Sequence, residues 1–189
     1  MRITWVQERV LDVVAVALLG PLYLALYVAL RRANETYMAV ATILFFVGMA
    51  VYIATDMAFS MLYLSDQYAA ATTDAQRAQF LAAGQGMLAV GHGTGLYMAF
   101  ILMAVAGLIV STVMLRSKIF GKVIAYVGIL ANALQLADFV RLAFVPALGA
   151  ILIVIAGVLS LIWYILVARR LFMLAQGISK EEGNHPALA

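Results

Sequence analysis

The chain has 189 residues, of which 66% are hydrophobic and only 11% charged, with a net charge of +3. A soluble domain carries roughly a quarter charged residues and about half apolar ones, and a chain of this size has too little interior to hide such an excess. A water-soluble globular fold is excluded, and a fold whose apolar surface is wetted by lipid is expected. The twelve Lys and Arg form no run longer than two, and no basic helix alternates with aromatics, so nucleic acid is not an expected partner. In a lipid-embedded chain such residues mark loop sidedness instead. The absence of cysteine rules out disulfides, thiolate metal sites and a Cys nucleophile.

Crossing the hydrocarbon takes about 20 apolar residues in a helix, and backbone groups inside lipid must bond to one another, which makes each crossing helical. The expected fold class is all-α: a polytopic membrane helical bundle with five transmembrane helices plus a short surface helix in the second loop. The spans fall at about 10–30, 38–64, 87–115, 123–144 and 147–167, in a single bundle domain over 1–175 followed by a flexible polar tail at 176–189.

The first span holds Gly20-Pro21 near its centre, where a proline removes one backbone bond and favours a bend. It runs to Leu30 without a small-x-small cleavage site and stops at Arg31-Arg32, which reads as a retained anchor. After the second span, Thr73-Asp74-Ala75-Gln76 fits a capping box that starts a short helix through Ala83. Gly91-His92-Gly93-Thr94-Gly95 carries the Gly-x-x-x-Gly spacing that lets membrane helices approach closely. It lacks the Lys and the strand-to-helix context of a phosphate loop.

Five spans place the termini on opposite sides. Arg31, Arg32, Arg116, Lys118, Lys122, Arg169, Arg170 and Lys180 share one side, against Arg2, Arg9, Arg77 and Arg141 on the other. The richer side is expected to be cytoplasmic, with the N-terminus outside. Trp163 and Tyr164 then suit an inner aromatic belt, and Trp5, Tyr63 and Tyr68 an outer one.

Charges within spans are costly and call for a reason. Measured along each helix from its basic end, Asp56 lies roughly 28 Å in, Asp138 about 24 Å, Arg141 about 28 Å and His92 about 36 Å. Asp138 and Arg141, three apart, can pair, and Gln135 and Asn132 continue the polar ladder inward. The functional expectation is an outward-facing pocket lined by Asp56, His92, Gln135, Asp138 and Arg141, with His92 able to titrate near neutrality. The competing expectation is a set of interfacial caps and salt bridges that set helix register.

Enzymatic chemistry finds little footing. There is no His-Glu-x-x-His or Gly-x-Ser-x-Gly motif, and a single bundle histidine does not supply the two axial ligands of a membrane b-type haem. A catalytic zinc needs three protein ligands, which Asp56, His92 and Asp138 meet only by accident of packing. Met57, Met61, Met87 and His92 suit reduced copper, yet methionines in so apolar a chain are more simply packing residues. No span carries a lysine for a retinal-type Schiff base. No cofactor and no metal are expected.

The run from Phe59 to Arg77, FSMLYLSDQYAAATTDAQR, and the run from Ser117 to Ala133, SKIFGKVIAYVGILANA, resemble a family of small bacterial and archaeal integral-membrane proteins catalogued as a domain of unknown function. The resemblance covers nearly the whole chain. It implies a helical bundle in a prokaryotic inner (cytoplasmic) membrane and carries over no catalytic residue. The first functional reading is a non-enzymatic multi-pass protein whose pocket binds a lipid or small amphiphile or docks a partner subunit. The second is a small transporter or channel for a solute or protons, acting as a homo-oligomer. A metal-dependent intramembrane enzyme comes third.

Overall fold

In the computed structural model, residues 2–91, 93–144 and 151–183 are described, with side chains placed over 11–177 except at 92, 140 and 142–150. Among these residues the chain is helical and forms no strand. Its helices are α1 (Arg2–Leu30), α2 (Glu35–Thr55), α3 (Ala58–Ala70), α4 (Asp74–Gly91), α5 (Thr94–Arg116), α6 (Lys122–Phe144) and α7 (Ile151–Gly183). Five segments are long and apolar enough to cross a membrane: Leu11–Leu30, Glu35–Ala70, Asp74–Arg116, Lys122–Phe139 and Ile151–Gly177. This is the architecture of a multi-pass membrane protein.

Lengths explain how the second and third segments are organised. They contain 36 and 43 residues, or roughly 54 and 65 Å of helix, against a hydrocarbon layer about 30 Å thick. Each is interrupted. α2, with 21 residues, covers about 31 Å by itself; the chain then breaks at Asp56-Met57 and resumes as α3. α4 ends at Gly91 and α5 begins at Thr94. α3 and α4 pack on each other as a hairpin joined by the short stretch Ala71–Thr73. The expected capping box opens α4: the Gln76 amide donates to Thr73 Oγ1 at 3.3 Å, and Gln76 Oε1 accepts from the Thr72 amide at 3.2 Å. The surface helix expected to stop near Ala83 continues through Gly84 and Gly86, where a bend was expected, to Gly91; the two glycines weaken a helix but do not by themselves end one.

Local chemistry sets the other boundaries. Asn34 caps α2, its Oδ1 accepting from the Tyr37 amide at 3.1 Å. At the far end the Thr55 hydroxyl folds back onto the Val51 and Tyr52 carbonyls at 3.0 and 2.9 Å. α1 passes through Pro21 as one helix. α7 runs from Ile151 to Gly183. Residues 184–189 lie outside the described part.

Contacts divide the chain into two compact units: Met1–Gly20 with Leu44–Met103, and Pro21–Ile43 with Ala104–Ala189. In the first, Gly48 of α2 lies against α5, where an added methyl would sit 2.8 Å from the Ala99 carbonyl oxygen, and the Tyr52 and Phe100 rings meet with centroids 5.5 Å apart. The two helix breaks adjoin: Gly91 faces the Met57 side chain, and Gly95 faces the Thr55 methyl. The glycine spacing thus serves close packing inside the bundle, with its two glycines on different helices.

In the second unit Leu26, Leu30, Met38, Val110, Met114 and Val167 are fully buried, and α6 packs along α7. Arg170 of α7 donates from Nε to the Ile119 carbonyl at 2.8 Å, which ties the end of that span to the α5–α6 loop. Large apolar side chains such as Leu18, Ile43, Val123, Ile151 and Leu161 stay exposed, as they must on helices whose outer surface is lipid.

Candidate functional site

The polar residues of α6 follow a spacing of three: Asn132, Gln135, Asp138, Arg141. Three residues advance a helix by about 300°, so each step falls short of a full turn by roughly 60°. Neighbouring members are close enough to meet, but the stripe winds half way round α6 between Asn132 and Arg141. Burial does not follow the winding step by step. Asn132 is 5% exposed and Asp138 2%, while Gln135 is half-buried.

The structure brings Asp138 and Arg141 together. Arg141 Nε donates to Asp138 Oδ1 at 2.8 Å, with the two side chains 9% and 3% exposed. Isolated ions at such burial cost several kcal/mol each, and within a membrane-crossing helix the alternative partner is hydrocarbon. A charge-assisted hydrogen bond of this length is among the stronger polar contacts a protein makes.

Asp56 belongs to the first unit, at the α2–α3 break, where its Oδ1 accepts from the Ala58 amide at 3.0 Å and satisfies one of the free donors that open α3. His92 lies outside the described residues. Among the described residues no three of His, Asp and Glu gather closely enough to share a metal ion.

A buried polar cluster deeper in the second unit escaped the sequence reading. Asn132 Nδ2 donates to the Gly128 carbonyl at 2.7 Å, one turn back along α6. The two helices α5 and α6 then pair reciprocally. Gly107 of α5 leaves the space that Asn132 fills, and Gly128 of α6 leaves the space into which Ser111 and Trp163 press. Gly107 and Ser111 are four apart on α5, as are Gly128 and Asn132 on α6, so the two helices mesh antiparallel, each glycine receiving a polar side chain of the other.

The same slot takes Trp163 out of the expected aromatic belt. At 1% exposure it is a core residue, because the bare backbone of Gly128 admits an indole that lipid would otherwise have received. Among the described residues Ser111 Oγ and Trp163 Nε1 are both buried without a hydrogen-bond partner, although both crowd the point where a Gly128 side chain would begin. The sequence did contain a signal in the Gly107–Ser111 and Gly128–Asn132 spacings. It was overshadowed by the denser glycines at 91–95.

No curated protein and no solved structure matches the chain. The profile of the family described as Domain of unknown function (DUF4386) matches residues 4–174, that is, all the helices apart from the extreme end of α7 and the first residues of α1. The match takes in most of the chain, five apolar spans among the described residues included, and the chain belongs to the DUF4386 family.

Proposed function

We propose that this is a non-enzymatic integral protein of a prokaryotic inner membrane, N-terminus outside and C-terminus cytoplasmic. In this reading its outward polar residues on α6, Gln135, Asp138 and Arg141, serve to hold a lipid or small amphiphile or to dock a partner subunit. The observation that carries the reading is the Asp138–Arg141 ion pair, buried in a helix otherwise made for lipid. Ionisable groups kept at such a position more often serve a site than a fold, since well-packed apolar residues would be at least as stable there. Native mass spectrometry of the detergent-purified protein tests it. Bound lipid that is lost in Asp138→Asn, at unchanged expression, supports the reading. Equal loss of expression in Asp56→Asn and Asp138→Asn favours caps and bridges that only set helix register.

One observation favours the second reading, a small transporter or channel acting as a homo-oligomer. Polar groups continue inward beyond Gln135, through Asn132 to Ser111 and Trp163 Nε1. Measured along their helices from Lys122 and Arg116, Asn132 lies about 15 Å and Ser111 about 8 Å in, so the basic half of the membrane is not uniformly apolar. Proton or solute flux in proteoliposomes, abolished by Asn132→Leu, would support this second reading over the first.

A further inference from the structure

The basic end of the second unit carries a groove that the α6 stripe does not use. It is about 300 Å³ in volume and lies between the start of α2 and the last turns of α5. That volume is at the small end of ligand sites, which run from roughly 300 to 1,000 Å³. From α5 it is lined by the apolar Leu108, Ile109 and Val113 and, at the last residue of that helix, by Arg116; Asn34 and Tyr37 line it from the start of α2. Two of the other polar residues lining it make local bonds of their own. The Thr112 hydroxyl donates to the Leu108 carbonyl at 2.8 Å, and Asn34 Oδ1 holds the Tyr37 amide. Arg116 is exposed and makes no ion pair among the described residues.

From Leu108 to Arg116 the groove follows about 12 Å of helix. It therefore leads from a cationic rim down an apolar wall, along the axis that a lipid chain takes when it enters a bilayer. Arg31 and Arg32 lie in the adjoining α1–α2 turn, both exposed, with Glu35 as the one acid close to them in sequence. We infer that this groove is a binding site for an anionic phospholipid, one acyl chain against Leu108, Ile109 and Val113 and the headgroup phosphate on Arg116. Charge complementarity selects the occupant: basic clefts between membrane helices favour anionic headgroups over zwitterionic ones, and Arg matches phosphate with a two-pronged donor set. The site is separate from the Asp138–Arg141 stripe, and neither proposal depends on the other.

The test is lipid titration of the full chain in detergent, with dioleoyl phosphatidylglycerol and dioleoyl phosphatidylcholine as probes and native mass spectrometry as readout. The phosphatidylglycerol is expected to bind about fivefold to tenfold more tightly, the scale of one basic side chain facing an anionic lipid. Arg116→Gln should erase that preference, whereas Arg169→Gln, at an exposed arginine of α7, should keep it. Ile109→Trp, which fills the groove, should weaken both lipids. Equal binding of the two lipids by the native chain overturns the assignment. So does a preference that survives Arg116→Gln, or one that Arg169→Gln abolishes equally well, because either makes it a property of the basic surface as a whole.

Discussion

Removing one member of the Asp138–Arg141 pair should not cost the same as removing the other. Asp138 is 2% exposed on a short side chain and has no reach toward water. Arg141 has a long stem and a side chain 9% exposed, so its head can swing toward the polar boundary once freed. Arg141→Gln strands a buried carboxylate, and breaking a buried pair this way costs about 3–5 kcal/mol. Asp138→Asn keeps an oxygen for Arg141 Nε and should cost less, about 1–3 kcal/mol. In a chain of this length each kcal/mol moves a melting midpoint by roughly 2–4 °C. Arg141→Gln is then expected roughly 6–20 °C below the native chain, with Asp138→Asn between them. The double change Asp138→Leu with Arg141→Met, which leaves no charge to bury, should return to within about 1 kcal/mol of native or exceed it. Thermal unfolding of all four proteins in one detergent reads the order. A native-like midpoint for Arg141→Gln, or a double variant as unstable as the worse single, would refute the burial argument.

The glycines should differ according to what stands before them. Gly48→Ala meets the Ala99 carbonyl oxygen at 2.8 Å, a backbone atom that cannot step aside, and is expected to cost about 1–3 kcal/mol; Gly91→Ala meets only the flexible end of Met57 and should lower the midpoint far less. Ser111→Ala removes a buried hydroxyl without a partner, so its midpoint should hold or rise. A drop worth more than about 1 kcal/mol would instead show that an ordered water joins Ser111 Oγ to Trp163 Nε1. Asp56→Ala deletes the side-chain acceptor for the Ala58 amide and should cost about 1 kcal/mol, the scale of a lost helix cap. Faster hydrogen exchange confined to the start of α3 would confirm the place of that loss, and unchanged exchange there would deny the capping role.

Much of the architecture was legible in the residue order because lipid simplifies the code. A segment of about 20 apolar residues has one way to satisfy its backbone in hydrocarbon, so the five crossings and their helical state follow from composition and length. Short-range features were equally readable. The Thr73–Gln76 capping box and the Asp138–Arg141 pair each join residues at most four apart on one helix, where 3.6 residues per turn decides who meets whom.

Tertiary packing decided the rest. An apolar stretch reads the same whether it faces lipid or protein, so nothing in the order of residues separated lipid-facing Leu161 from buried Trp163. That distinction came from Gly128 on another helix, whose missing side chain opens the slot for the indole. The reciprocal fit of Gly107 with Asn132 and Gly128 with Ser111 likewise needs α5 and α6 antiparallel and in one register. The groove below Arg116 exists because the start of α2 comes to rest beside the end of α5. Hydrophobic transfer is non-directional and sets which segments enter the membrane, whereas contact between close-packed side chains is shape-dependent and sets which of their faces meet.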